Sequence, residues 1–271
     1  MAISAPPLPA ALNMQGRRAL VTGAASGIGR ATASVLAQLG AELVVTDRAP
    51  RGETRAEVEA FGAACTELQG DLTDDAFLAQ LVAGDRLHAL AHCAAILEGR
   101  PWREDRNWRD RFHRVMDINI RVPLQLATLA IDHMADRGGG SIVLIGSVAG
   151  RTGGTSPNTP PDYSASKGAV HALIKLLSRN AVGRGVLVNG VAPGPVQTPM
   201  TTGFNLAPQL PMQRMGRPEE LAWVIAFLCT PAASYMSGAL IRDVGLDADA
   251  VTRLGADPQW LARRKADTEA A

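Results

Sequence analysis

Apolar positions along the chain follow two alternating rhythms. Short runs of Val, Leu and Ile alternate with longer stretches in which apolar residues recur every three or four positions. The short runs predict strands over 19–21, 42–46, 64–68, 87–93, 141–145, 186–191 and 239–243. The longer stretches predict helices over 28–39, 51–61, 105–136, 163–182 and 218–228. The run Ser141-Ile142-Val143-Leu144-Ile145 has no polar alternation after its first residue, as expected of a strand covered on both faces. Strand–helix alternation of this kind requires a parallel sheet with right-handed crossovers. The expected fold is therefore α/β: a single-domain, Rossmann-like, doubly wound parallel sheet of about seven strands with helices on both faces. Functional residues are then expected just beyond the carboxyl ends of the strands.

No repeat and no linker divides the chain. The expected organisation is a flexible N-terminal tail (1–16), one α/β domain (17–245) with a lid segment near 198–216, and a C-terminal extension (246–271). Apolar residues make up 46% of the chain but aromatics only 4%, so the core must be built from Ala, Val, Leu and Ile. A net charge of +1, without a basic run, argues against nucleic acid or an anionic membrane as partner. No apolar run is long enough to span a bilayer. Cys65, Cys93 and Cys229 are isolated, with no metal-ligand spacing, which fits a reduced, cytoplasmic chain and no metal.

The first predicted strand runs into Thr22-Gly23-Ala24-Ala25-Ser26-Gly27-Ile28-Gly29, which opens the first helix. Gly23 permits a tight turn, while Gly27 and Gly29 clear side chains where a pyrophosphate and a strand must come close. The N–H groups at the helix start, around Ser26 and Ile28, would face the phosphates. Asp47 follows the second strand and can accept hydrogen bonds from both ribose hydroxyls of an adenosine, while repelling a 2′-phosphate. That favours NAD over NADP. The neighbouring Arg48 could pair with a phosphate and keeps NADP open as the alternative.

Tyr163 and Lys167, in Tyr163-Ser164-Ala165-Ser166-Lys167, share one helical face at i, i+4. Free tyrosine titrates near ~10, and a base working near neutrality needs ~3 units less, about 4 kcal/mol. A nearby ammonium and a positive nicotinamide ring would favour the phenolate, so the phenol is expected to be acidified.

This pair lies downstream of Ile145-Gly146-Ser147 and upstream of Asn189-Gly190-Val191-Ala192-Pro193-Gly194-Pro195-Val196-Gln197-Thr198. Together with the glycine turn, the set closely resembles the short-chain dehydrogenase/reductase family in its compact single-domain form, from about Arg17 to Gly245. The resemblance implies that Ser147 hydrogen-bonds the substrate oxygen and that Tyr163 exchanges its proton. It implies that Lys167 lowers the Tyr163 pKa and binds the nicotinamide ribose, and that Asn119 holds a water linking the lysine to solvent. Asp71 and Leu72 would touch the adenine. Val196 and Thr198 would hold the carboxamide, and Pro193 would join the cofactor set. Pro123 cannot donate to the carbonyl of residue 119 in a regular helix, which would leave that carbonyl free for a relay. The family commonly forms dimers or tetramers through helices like 105–136 and 163–182. Val170, Leu173 and Leu177 are the apolar outer residues expected to serve a homodimer or homotetramer.

Two segments depart from the family pattern. Where it has Asn-Asn-Ala-Gly, this chain has His92-Cys93-Ala94-Ala95. The small Ala94 and Ala95 keep room for the adenosine ribose, but amides that brace the sheet are missing. The segment 200–211, with Met200, Phe204, Leu206 and Leu210, would form an apolar lid over an apolar or ring-shaped substrate. The expected activity is NAD-dependent hydride transfer between a secondary alcohol, cyclic or hydrophobic, and nicotinamide. An NADPH-linked carbonyl reductase and a non-catalytic nucleotide-binding protein on the same scaffold are the alternatives.

Overall fold

A computed structural model of the protein describes residues 9–50, 52–98, 104–154, 159–204 and 206–244. Seven strands, β1 (Arg18–Thr22), β2 (Glu42–Asp47), β3 (Cys65–Gln69), β4 (Ala89–His92), β5 (Gly140–Ile145), β6 (Val186–Pro193) and β7 (Leu240–Val244), form one sheet in the order β3-β2-β1-β4-β5-β6-β7. Every pairing is parallel. The order reverses between β1 and β4, so the crevice for a ligand opens above those two strands.

Each face of the sheet has its own apolar layer. On one side α1 (Gly27–Gln38), α2 (Gly52–Ala60) and α8 (Pro218–Cys229) bury Leu36, Val58 and Ile225 against Val21, Val45 and Val143. On the other side α3 (Asp75–Val82), α5 (Val122–Ala135) and α7 (Pro161–Ala181) bury Leu78, Leu126 and Ile174 against Leu20, Leu90 and Ile142. Alternate residues of one strand thus enter opposite layers, and a run such as SIVLI is apolar throughout because both faces are covered.

Within the segment expected as a tail, Met14 is fully buried and its N–H donates to the Leu39 carbonyl at 2.8 Å. Three expectations change. Helix α3, which the apolar pattern did not predict, starts at an N-cap, Asp74, whose carboxylate accepts from the N–H groups of Ala76 and Phe77. The long helix expected over 105–136 consists of α4 (Trp108–Met116), a π turn (Asp117–Arg121) and α5. In that turn the N–H of Val122 reaches back five residues to Asp117, and the widened ladder centres on Asn119. Finally, Val170 and Leu177 do not face outward. With Ile174 and Ala181 they form the i, i+4, i+7, i+11 stripe that α7 lays on the sheet, Leu173 packs at its margin, and Leu176 is the exposed apolar residue. The C-terminal extension lies outside the described residues.

Candidate active site

The carboxyl end of β1 delivers the chain into the glycine turn. Gly23 has a φ of +65°, and a side chain there would strike the backbone of Ala94, beyond β4, at 2.8 Å. Gly29 is tighter still: a Cβ would lie 2.1 Å from the Gly23 carbonyl oxygen. The turn can therefore fold back on α1 only with glycine at this position. Ser26, the N-cap of α1, makes no side-chain capping bond, so the first N–H groups of the helix are not satisfied by it.

A cavity of about 310 Å³ lies over this turn, lined among others by Gly23, Ser26, Gly27, Ile28 and Gly29. Of the other residues expected at the cofactor, Asp47, Arg48, Asp71, Leu72, Ala94 and Thr198 also line it. Asp47 is held on the turn: one carboxylate oxygen accepts the Ala25 N–H at 3.1 Å, the other the Ala49 N–H at 3.0 Å. Asp71 accepts the N–H and the hydroxyl of Thr73, and these bonds lower its pKa from the ordinary value. The helix N-terminus, the glycine cradle and the carboxylate on its far rim fit the phosphates and adenosine of a dinucleotide.

A second cavity, about 340 Å³, shares Ile28, Cys93, Ala95, Thr198 and Met200 with the first. Ser147, Tyr163, Lys167, Pro193 and Val196 line it. Ser147 lies between β5 and the short α6 (Ala149–Thr152), and Tyr163 and Lys167 lie in the first turns of α7. The Ser147 hydroxyl lies beside the Tyr163 phenol and favours its ionised form. Lys167 is 4% exposed and donates from Nζ to the Ile145 carbonyl at 2.8 Å; the same nitrogen sits 5.7 Å from the centre of the Tyr163 ring. Three of the four expected catalytic side chains thus meet on one wall. The fourth, Asn119, is buried behind it. Its amide pairs with both backbone groups of Ile96 at 2.9 Å and donates to Ser166 Oγ at 3.1 Å.

The expected acidification of Tyr163 counted on a nicotinamide ring as well as the amine. In the protein alone, burial pushes the Tyr163 phenol above its ordinary value, opposed only by the Ser147 hydroxyl. Burial also pushes Lys167 down to about 8. The protein alone therefore does not acidify the phenol. The amine points at the Ile145 carbonyl and is itself desolvated, so its charge is weakly held.

His92 corrects one expectation. The amides missing after β4 do not leave the sheet unbraced, because His92 Nδ1 lies 3.0 Å from the Thr22 hydroxyl across the β1–β4 pair. Residue spacing did not point to Thr22, Ile96 or Ser166. Each acts through a backbone or hydroxyl partner distant in the chain, and sequence carries no periodic signal for such contacts.

The sequence profile described as enoyl-(acyl carrier protein) reductase matches residues 23–246. The chain is 36% identical over 242 residues to galactitol 2-dehydrogenase (L-tagatose-forming) of Cereibacter sphaeroides, covering 84% of this chain and 93% of that protein. It is 34% identical to cis-4-hydroxycyclohexanecarboxylate dehydrogenase of Sinomonas cyclohexanicum, covering 83% and 94% respectively. Among solved structures, a 3-oxoacyl (acyl-carrier-protein) reductase from Agrobacterium tumefaciens C58 with NADP bound superposes with a TM-score of 0.79 at 27% identity, covering 89% and 98%. Both the glycine-turn fold and these likenesses lead to one assignment: the chain is an oxidoreductase and belongs to the short-chain dehydrogenase/reductase family.

Proposed function

We propose that this oxidoreductase transfers hydride between a secondary alcohol, cyclic or hydrophobic, and NAD. One observation carries the reading: Ser147, Tyr163 and Lys167 share a cavity otherwise walled by side chains such as Leu97, Val148, Pro160, Met200, Phe204 and Leu206. A substrate lodged there loses water from its carbon frame and offers only its hydroxyl to the polar wall. Similarity to a dehydrogenase named for a hydroxycyclohexane ring supports a cyclic alcohol.

A bound nicotinamide dinucleotide supplies the hydride acceptor and, when oxidised, a positive ring. The chain does the rest. Ser147 accepts from or donates to the substrate oxygen. Tyr163 takes the hydroxyl proton in oxidation and returns it in reduction. Lys167 holds the nicotinamide ribose and supplies positive charge, and Asn119 keeps Ser166 and the Ile96 turn in place behind the tyrosine. On the adenosine side Asp47 takes the ribose hydroxyls, with Asp71 and Leu72 at the adenine and Val196 and Thr198 at the carboxamide. Arg48, next to Asp47, and NADP in a structural neighbour favour a second reading, an NADPH-linked carbonyl reductase. The isolated spacing of Cys65, Cys93 and Cys229 along the chain supports a cytoplasmic protein. Exposed Leu124 and Leu176, on α5 and α7, support a homodimer or homotetramer.

The test is a panel of cyclic, aromatic, steroid and open-chain secondary alcohols assayed for NADH formation, alongside polyols. Turnover confined to polyols, or equal use of NADPH, would overturn the substrate or the cofactor reading respectively.

A further inference from the structure

Arg111 and Asp162 form an ion pair inside the protein, and the pair is wired to Tyr163. Arg111, on α4, is 2% exposed. Its Nε donates to Asp162 Oδ2 at 2.9 Å and its Nη1 bonds the Asp105 carboxylate. Asp162, on the first turn of α7, has a fully buried side chain. Its other oxygen accepts the backbone N–H of Tyr163 at 3.0 Å.

The carbonyl of Tyr163 is held as well. Ser166 Oγ donates to it at 2.7 Å and accepts from Asn119 Nδ2 at 3.1 Å. Both ends of the Tyr163 main chain are therefore tied to the α4–π–α5 rod: the N–H through Asp162 and Arg111, the carbonyl through Ser166 and Asn119. The two anchor residues on the rod stand about two helical turns apart.

We propose that the Arg111–Asp162 pair is a positioning device for Tyr163, fixing the first turn of α7 so that the phenol meets Ser147. This rests on the reading of Tyr163 as the proton-transfer group. Stability alone is a poor reason for such a pair. A buried ion pair roughly breaks even against apolar side chains of similar volume. Here Arg111 Nη2 is also buried without a hydrogen-bond partner among the described residues. Apolar side chains would join α4 to α7 as firmly. They could not hold a carboxylate so that its second oxygen faces one particular N–H. Proton transfer is sensitive to such aim, since displacements on the order of 1 Å cost about 100-fold in rate.

The chain has two tyrosines, Tyr163 and Tyr235, and Tyr235 is wholly exposed. Ring-carbon NMR of tyrosine-labelled full-length protein therefore follows the Tyr163 phenol by itself, with Tyr163→Phe to assign it. Four variants are compared with the unsubstituted protein: Arg111→Met, Arg111→Met with Asp162→Asn, Asp162→Asn, and Arg111→Lys. Each is titrated by NMR, melted, tested for NAD binding, and assayed with NAD and cyclohexanol.

Arg111→Met is expected to raise the Tyr163 pKa by about half a unit as the phenol shifts away from the Ser147 hydroxyl. Turnover should fall about 10-fold, with KM for NAD within about twofold. The double variant has no unpaired charge at the fully buried position 162, leaving only the part-exposed Asp105 without its cation, and should keep both defects; Arg111→Lys should recover part of each. If Arg111→Met does not fold, Asp162→Asn, which preserves an acceptor for the Tyr163 N–H, reports the same shift.

Melting temperatures that drop while the Tyr163 pKa and turnover per folded molecule stay unchanged would overturn the proposal. So would a double variant restored to normal values, because the defect would then be mere unpaired charge. Tyr163→Phe separates the two ideas. If it retains turnover, the reading of the site fails. If it is inactive while the Arg111 variants behave normally, only the positioning role fails. If cyclohexanol is not oxidised, the substrate reading suffers and the NMR arm decides the positioning.

Discussion

Lys167 donates its ammonium to the carbonyl of Ile145 at 2.8 Å, two residues before Ser147, from a site only 4% exposed. Burial lowers its pKa from 10.5 to about 8. The unfolded chain keeps the higher value. Between those two pH values the unfolded state holds a proton that the folded state has released, so this group makes stability rise with pH across the window. Below the lower value the folded protein carries a standing cost of about 3 kcal/mol from the buried charge. Lys167→Met removes that pH-dependent cost at every pH. In urea unfolding, the unsubstituted protein should gain on the variant by up to about 3 kcal/mol between pH 8 and 10.5. A gap that does not change with pH would mean the amine is not depressed.

The phenol of Tyr163 stands above its ordinary pKa in the protein alone, held up by burial and opposed by Ser147. It is therefore protonated at neutral pH. Alcohol oxidation should accordingly speed up as pH rises, until the phenol is ionised. Tyr163→Phe keeps the ring that fills the wall and deletes only the proton carrier. It should leave NAD affinity within about twofold and lower turnover by at least ~100-fold. Stopped-flow binding and steady-state rates on the same preparation separate these two quantities. A variant that still turns over at the normal rate would rule the phenol out as the acid/base group.

These two residues also show how far sequence reasoning reaches. The i, i+4 spacing of Tyr163 and Lys167 gave their shared face, and the glycine spacing after β1 gave the turn, because helix period and φ restrictions are local. The alternation of strand-like runs with helices gave the parallel sheet. What stayed hidden depended on partners far away in the chain. That Val170 and Leu177 face the sheet is decided by which stripe of α7 is covered, and an α7 apolar on several sides does not announce it. Asn119 was legible as a family position, but not its pairing with Ile96 or the π turn around it. The opposite pKa shifts of Tyr163 and Lys167 were invisible because desolvation depends on the finished packing, and spacing reports only proximity.

Asp47 makes the cofactor preference testable. Its carboxylate is fixed on the glycine turn by the N–H groups of Ala25 and Ala49, so it cannot swing away from a 2′-phosphate without giving up both. Two negative groups close together in a partly buried crevice repel strongly. Asp47→Ser should cut kcat/KM with NAD about 10-fold or more and raise it with NADP by a similar factor, helped by the adjacent Arg48. Steady-state kinetics with both cofactors on both proteins provide the check. An unsubstituted protein that already prefers NADP would place the 2′-phosphate elsewhere and refute this account of Asp47.

His92 ties the sheet's centre to acid sensitivity. Thr22 Oγ1 accepts the Ala94 N–H at 3.2 Å and shares a hydrogen bond with His92 Nδ1 at 3.0 Å. The other ring nitrogen, Nε2, is buried without a partner among the described residues. Burial, with the Lys167 charge adding to it, drops the His92 pKa from 6.5 to about 3. As pH falls from the unfolded value towards the folded one, the unfolded chain takes up a proton that the folded protein refuses. Stability from this group is complete above pH 6.5 and is lost at about 1.4 kcal/mol per pH unit below it. Asn at position 92 has no such titration and can still bond the Thr22 hydroxyl. Between pH 7 and about pH 4.5, His92→Asn should lose about 2 to 3 kcal/mol less than the unsubstituted protein in urea unfolding. Parallel losses in the two proteins would show that the imidazole titrates freely and would overturn this account of its burial.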